Sequence, residues 1–230
     1  MSIFKNQSGI INIEEFDYLQ ISIVGMGSIG SFLSLALHKL GLGKIMIIDN
    51  DMVEKHNITT QFFFKRHIGQ SKVSAIESQL DGEIQKYEQK VQSNHEIKAD
   101  IVFLCVDSLK QRKIIMKSIL DSYEKYKRPK LIIDGRMHKL VFRVLTVDLT
   151  KPDILEQYVD GMFGKEFVGT CTEKGIIQNV FGVVSVMVEQ LKKVLNNEPY
   201  FAVLNCDLEN YDIQKLCLIK PYDTTKSNKK

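Results

Sequence analysis

The stretch QISIVGMGSIGSFLSLALHKL, from Gln20 to Leu40, decides how the rest of the chain is read. Residues 20–24 are an apolar run short enough for a buried strand. Over residues 28–40, Ile29, Phe32, Leu33, Ala36, Leu37 and Leu40 recur at helical spacing on one broad face, and Gly41 and Gly43 end the pattern. Between strand and helix stand Gly25, Gly27 and Gly30 in the spacing GxGxxG. Each glycine has a physical task there: the first makes the tight turn, the second lets a phosphate approach the backbone, and the third lets helix and strand pack closely. The helix N-terminus offers free N–H groups and the positive end of its dipole to an anion. A glycine-rich turn without a ligand is the competing reading; the flanking strand and helix favour nucleotide binding.

Working outward, residues 44–48 form a second apolar strand with little alternation, as in a parallel sheet covered on both faces. A loop runs to about 68, a helix is expected over 69–81, and a weak edge strand over 83–91. Residues 100–106 are the clearest buried strand, 109–124 a helix, 130–134 a strand and 139–148 a long β run. This order predicts an α/β fold with a doubly wound, Rossmann-like, mostly parallel sheet. Beyond 150 the texture changes: a helix stub and crossing loop over 152–174, a buried helix over 176–195, and strands at 200–205 and 213–219 that pair as an antiparallel C-terminal extension. No linker divides the chain, so residues 1–230 are expected to form one unit, with a core over 1–150 and the crossing loop, buried helix and terminal strands over 151–230.

Composition narrows the class. The chain has 230 residues, a net charge of +3, 44% hydrophobic and 26% charged residues, which are ordinary globular values. Lysines interleave with acids, so no nucleic-acid stripe is expected. No apolar run reaches the roughly 18–20 residues a membrane span needs, and with no positive segment followed by an apolar one at residues 1–7 no signal peptide is expected. A cytoplasmic protein without a membrane partner is expected. Cys105, Cys171, Cys206 and Cys217 are widely spaced, which predicts free thiols and no zinc site, because zinc ribbons use paired ligands. Cys105 reads as packing, and Cys206 and Cys217 as structural.

Asp49 lies at the end of the second strand, 24 residues after Gly25, where an acid holds ribose hydroxyls. At this point NAD and ATP fit equally. The chain continues as Asp49-Asn-Asp51-Met-Val53-Glu-Lys-His-Asn57-Ile-Thr-Thr-Gln61, then Gly69-Gln-Ser-Lys72, then Asp107-Ser-Leu-Lys-Gln-Arg112 after the strand at 100–106. With the glycine loop, these pieces resemble in order the adenylation domain of the ubiquitin-activating-enzyme-like family of ThiF/MoeB type. That family shows GxGxxG, D-x-D-x-V-x-x-x-N-x-x-R-Q, G-x-x-K, and a strand ending in Asp with an Arg five residues on. The resemblance covers residues 20–135 and continues more loosely to about 195.

The resemblance implies ATP as the nucleotide and adenylation of the C-terminal carboxylate of a small ubiquitin-like or sulfur-carrier protein ending in glycine, by a homodimer. By it, Gly25, Gly27 and Gly30 cradle phosphate, Asp49 holds the ribose with Asp51 beside it, and Asn57, Gln61 and Lys72 face the triphosphate. Asp107 would hold Mg²⁺, a hard cation suited to carboxylate and phosphate oxygens, and Arg112 would support that loop. The plainer readings are a solvated Lys72 and an Asp107 that caps the helix 109–124. The chain is a divergent member: Thr60 stands where the family has Arg, no Arg precedes Arg66, and the zinc CxxC pairs are absent. Thr170-Cys171-Thr172 resembles the thioester cysteine of ubiquitin-activating enzymes, against the plainer reading of a loop cysteine. Arg136, in Asp134-Gly-Arg136-Met-His138 after a strand end, would bind the substrate's carboxyl tail or a phosphate, or else form a surface salt bridge. An NAD-dependent oxidoreductase and a nucleotide-binding partner subunit without chemistry are the alternatives.

Overall fold

The structure is a computed structural model describing residues 11, 16–42, 44–81, 83–162 and 176–220. The chain runs β1 (Ile21–Val24), α1 (Ser28–Leu40), β2 (Ile45–Ile48), α2 (Lys72–Glu77), β3 (Ile84–Tyr87), β4 (Ile101–Leu104), α3 (Leu109–Tyr126), β5 (Leu131–His138), β6 (Val141–Asp148), α4 (Pro152–Met162), α5 (Ile177–Leu195), β7 (Tyr200–Asp207) and β8 (Asp212–Ile219). Short 3₁₀ turns at Lys55–Thr59 and Lys65–His67 lie between β2 and α2.

All eight strands form one sheet in the order β3-β2-β1-β4-β5-β6-β7-β8. β1 to β5 pair in parallel, and β6, β7 and β8 follow antiparallel. This is the doubly wound sheet with an antiparallel extension that the strand pattern predicts. The order reverses between β1 and β4, and ligands bind at such switch points, outside the carboxyl ends of the strands.

The pleat divides the strand side chains between two cores. Ile21, Ile23, Phe103 and Ile133 pack with Leu33 and Leu37 of α1 and Val183 and Met187 of α5. Val24, Val102, Leu104 and Ile132 pack with Ile115 and Ile119 of α3 and Tyr158 of α4. The expected buried helix at 176–195 is α5; its apolar residues share one stripe despite their β-branching.

Two boundaries and the burial of one cysteine differ from the sequence reading. α2 is shorter than 69–81, because Val53 N–H bonds the Gln70 carbonyl and Lys72 N–H the Asp51 carbonyl, holding the chain extended up to Ser71. The Ser71 side chain then caps the helix by accepting from Ser74 N–H. β5 does not stop at Asp134: pairing with β6 carries it to His138, so Arg136 sits inside a strand. Cys217, read as structural, is exposed, because β8 is the outermost strand and all its residues but Ile219 are exposed. Among the described residues, no helix is long and apolar enough to cross a membrane.

Candidate active site

The glycine loop closes over the ends of β1 and β4. Gly25 has φ +97°, and a Cβ there would stand 2.9 Å from the Cys105 carbonyl carbon and the Val106 nitrogen. A Cβ on Gly30 would stand 1.8 Å from the Gly25 carbonyl oxygen, so no other residue fits without moving the turn. Gly27 differs: nothing lies within 4 Å of where its Cβ would be. It is also the N-cap of α1, and no side chain caps the helix there. The first-turn N–H groups are therefore left for an outside acceptor, the arrangement that holds anions.

Asp49 ties this loop to β2. One carboxylate oxygen accepts from Met26 N–H at 2.5 Å and the other from Asp51 N–H at 2.7 Å. Burial pushes its carboxyl above the usual range, against the pull of the Lys72 ammonium and the two backbone bonds. Each oxygen keeps a second lone pair for a ligand hydroxyl. Lys72 is buried, not solvated: its side chain is 8% exposed, and its Nζ lies 2.8 Å from a carboxylate oxygen of Asp51, itself 58% exposed. A lysine is almost never buried unpaired, and this pair sets a positive charge beside Asp49.

The segment between β2 and α2 is fastened to the start of α1. Ser28 Oγ lies 3.4 Å from Thr60 Oγ1, and Phe62 N–H donates to Ser31 Oγ at 3.0 Å. Thr60, in the family's arginine place, thus makes a hydroxyl contact to the first residue of the helix. Asn57 is buried and structural in part, its Oδ1 accepting from Glu54 N–H at 2.8 Å. Gln61 lies between the two fastening points, and its buried Oε1 has no hydrogen-bond partner. A buried amide oxygen without a donor is costly, and it suits a site completed by a bound molecule.

On the other side of the switch point, Asp107 is exposed, one residue before Ser108. Ser108, not Asp107, caps α3, its side chain accepting from Gln111 N–H. Arg112 is buried. Its guanidinium bonds Asp134, the Val106 carbonyl and, at 3.0 Å, the Gly135 carbonyl, so it holds the loop that carries Asp107. Burial, with the Arg136 charge nearby, lowers Arg112 to about 10. Asp134 is fully buried and also accepts from Arg136 Nε at 2.9 Å, Arg136 Nη2 at 2.7 Å and the Tyr158 hydroxyl at 2.9 Å. Arg136 is therefore ion-paired at its base and 19% exposed.

A groove of about 380 Å³ flanks the site, lined by Val91, Gln92, Ser108 and Gln111 among others. Cys105 is inert, its thiol pushed up by burial to about 12. Cys171 lies outside the described residues. Among those described, no group of three or more His, Cys, Asp or Glu could hold a metal ion. The fold thus gathers Gly25, Gly27, Gly30, Asp49, Asp51, Asn57, Gln61 and Lys72 around the β1 and β2 ends, with Asp107 beyond the β4 end and Arg136 within the neighbouring strand β5. Sequence reasoning missed Asp134 and Tyr158. The i, i+2 spacing of Asp134 and Arg136 was a usable signal for the first; Tyr158 had none.

Comparison with known proteins bears on this geometry. The ThiF family model matches residues 8–228. Ubiquitin-like modifier-activating enzyme 5 of Xenopus laevis is 34% identical over 76 residues, 33% of this chain and 19% of that protein. The Dictyostelium discoideum enzyme of the same name is 36% identical over 76 residues, 33% of this chain and 20% of its own. The match thus spans about a fifth of the length of these curated relatives. Escherichia coli MccB crystallised with ATP superposes with a TM-score of 0.68 at 16% identity, over 91% of this chain and 67% of that one. PaaA superposes at 0.67 and 16%, over 88% and 73%. At these identities the likeness is one of fold.

Proposed function

The chain belongs to the ThiF family, and from that premise we propose that it is an ATP-dependent adenylyltransferase acting on the C-terminal carboxylate of a peptide or small carrier protein. The observation that carries this reading is the uncapped start of α1 at Gly27, with clear space before it and the buried Lys72, paired with Asp51, beside Asp49. A dinucleotide reading explains the glycines and Asp49 but gives no reason to bury a lysine there.

In the proposed reaction a substrate carboxylate oxygen attacks the α-phosphorus of ATP. The bond from that phosphorus to the bridging oxygen breaks, and pyrophosphate leaves. Such chemistry depends on positioning and charge stabilisation rather than covalent help from the protein. Gly25, Gly27 and Gly30 form the cradle, and the α1 N–H groups donate to phosphate oxygens. Asp49 accepts from a ribose hydroxyl, while Asn57, Gln61 and Lys72 face the triphosphate, Lys72 as a point charge. The groove at Val91 and Gln111 receives the base. Asp107 would hold Mg²⁺, which when bound neutralises phosphate oxygens. Arg136 meets the incoming tail.

The finer reading is a ubiquitin-like or sulfur-carrier substrate ending in glycine, a cytoplasmic homodimer, residues 1–230 as one unit, and transfer of the acyl group from AMP to Cys171 as a thioester. A groove of about 510 Å³ between α1 and α5, where Phe181 is 54% exposed, supports pairing of two copies. MccB has been crystallised with MccA, which supports the broader substrate class.

Exchange of labelled pyrophosphate into ATP tests the proposal. Exchange that requires a Gly-Gly-tailed protein or peptide is expected; tight NADH binding without exchange contradicts it. Cys171→Ala should leave exchange intact and abolish any conjugate that thiols release.

A further inference from the structure

Beyond the site above, the two edges of the sheet are finished differently. β3 is four residues long and carries Lys86 in an ion pair with Glu77. Short, charged edges of this kind discourage pairing with another chain. β8, at the other end of the order, runs for eight residues and is exposed along its length up to Ile219. Ile213, Leu216 and Leu218 on it are exposed apolar side chains. An edge strand presents a row of backbone N–H and C=O groups to any strand that can lie beside it. The left-handed backbone at Cys217, with φ +54°, does not interrupt the strand: Leu216 pairs with Val203 and Leu218 with Phe201, so the register runs past it without a slip.

The side-chain pattern of β8 complements its own reverse. An antiparallel pair formed about a two-fold axis at Leu216 sets each residue opposite the one equally far beyond Leu216 in the second copy. Asp212 then faces Lys220 at both ends, Ile213 faces Ile219, and Leu216 faces itself. Opposite charges and aliphatic side chains placed directly across from one another stabilise such a pair. Val203 already lies across from Leu216 within each copy, so the pairing continues one aliphatic row through the axis. Other registers lose this match. Moving one copy by a single residue sets Asp212 against Ile219 or Lys220 against Ile213, and an axis at Lys215 sets two lysines together. The charges also favour a partner. Asp212 is the register partner of Asp207, and like charges directly opposite repel. Among the described residues neither Asp212 nor Lys220 has an ion-pair partner. A lysine brought to Asp212 relieves that repulsion.

We propose that β8 is a docking edge for the β8 of a second copy, paired antiparallel about Leu216 so that two eight-stranded sheets become one. This contact is separate from the groove between α1 and α5 and does not depend on the adenylation reading. One strand against one strand is a small interface, so the association is expected to depend on concentration.

The test is a zero-length cross-link. Light and isotopically heavy protein are mixed in equal amounts at high concentration and treated with a carbodiimide, which joins a carboxylate to an amine only where the two touch. The linked peptides are read by mass spectrometry. Asp212 and Lys220 stand eight residues apart on one extended segment, about 26 Å at 3.3 Å per residue, so they cannot be joined within one copy. Links from light Asp212 to heavy Lys220, and the reverse, are the expected result. Asp212→Lys and Lys220→Asp should each weaken association in sedimentation about tenfold, because each sets like charges together at both ends. An equal mixture of the two variants should restore it and link the lysines of the first to the aspartates of the second. If either variant fails to fold, the wild-type link carries the test. Absence of a light–heavy link between these two positions overturns the proposal. So do links from Asp212 and Lys220 only to other parts of the same copy, which would show that the chain covers its own edge. Light–heavy links at other positions alone would assign pairing to another face, and unchanged association in both single variants would equally overturn the register.

Discussion

The two sides of the switch point are built differently. On the β1–β2 side the proposed nucleotide contacts come from backbone: a glycine turn, an uncapped helix start, and an aspartate committed to two N–H groups. On the β5 side the contacts are between side chains: Arg112 of α3, Arg136 of β5 and Tyr158 of α4 meet at Asp134. A backbone site tolerates no extra atoms in its turn. A side-chain site depends on one buried charge.

The comparison breaks most visibly at Asp134. Replacing it with Asn leaves Arg112 buried without its counter-charge, which should cost about 3–5 kcal/mol, the usual result of breaking a buried pair; urea unfolding would measure it. A loss under about 1 kcal/mol would show that Arg112 does not need that carboxylate.

Gly30→Ala should come next. Its Cβ would fall 1.8 Å from a backbone oxygen, and overpacking of this kind costs about 3 kcal/mol at the upper end of the common range. Gly27→Ala is the paired control. With nothing within 4 Å, it should change stability by less than about 1 kcal/mol while weakening ATP binding about tenfold, as a methyl group enters the phosphate's approach. Calorimetric titration with ATP and urea melts of both variants separate the two glycine roles.

Lys72→Met should lower pyrophosphate exchange by about a hundredfold, close to 2.7 kcal/mol of transition-state stabilisation. The Lys72–Asp51 pair is open to water on the aspartate side, so the melt should move much less than the rate.

The smallest effect is a pH dependence at Asp49. Its carboxyl is raised in the folded state, chiefly by burial. The folded protein therefore binds that proton more tightly than the unfolded chain, and stability from this source is present below 3.8, its ordinary value, and is lost as pH rises through the folded value. The melting temperature of wild type relative to Asp49→Asn should fall as pH rises over that interval. A rise would place the carboxylate's two backbone bonds above burial.

Legibility in the sequence followed the same division. The glycine loop, Asp49, Lys72 and the strands at 20–24 and 100–106 are local signals, each readable within a short window. α2 was overestimated because the bonds that keep residues 69–71 extended reach back to Asp51 and Val53. β5 was cut short at Asp134 because its last residues are strand only through pairing with β6. The fourfold use of Asp134 exists only once distant elements are packed together. Cys217 reads as structural because it lies in a terminal strand, yet Leu216 and Leu218 beside it are 50% and 52% exposed on the outermost strand.

The central claim is that a carboxylate attacks the α-phosphorus of ATP between these two halves. Transfer of isotope tests it most directly. A Gly-Gly-tailed peptide with heavy oxygen in its C-terminal carboxylate is incubated with the protein and ATP, and the products are hydrolysed and weighed by mass spectrometry. The account predicts heavy oxygen in AMP and none in pyrophosphate. Heavy oxygen in inorganic phosphate with ADP formed, or no transfer from any such peptide while NADH binds tightly, would contradict it.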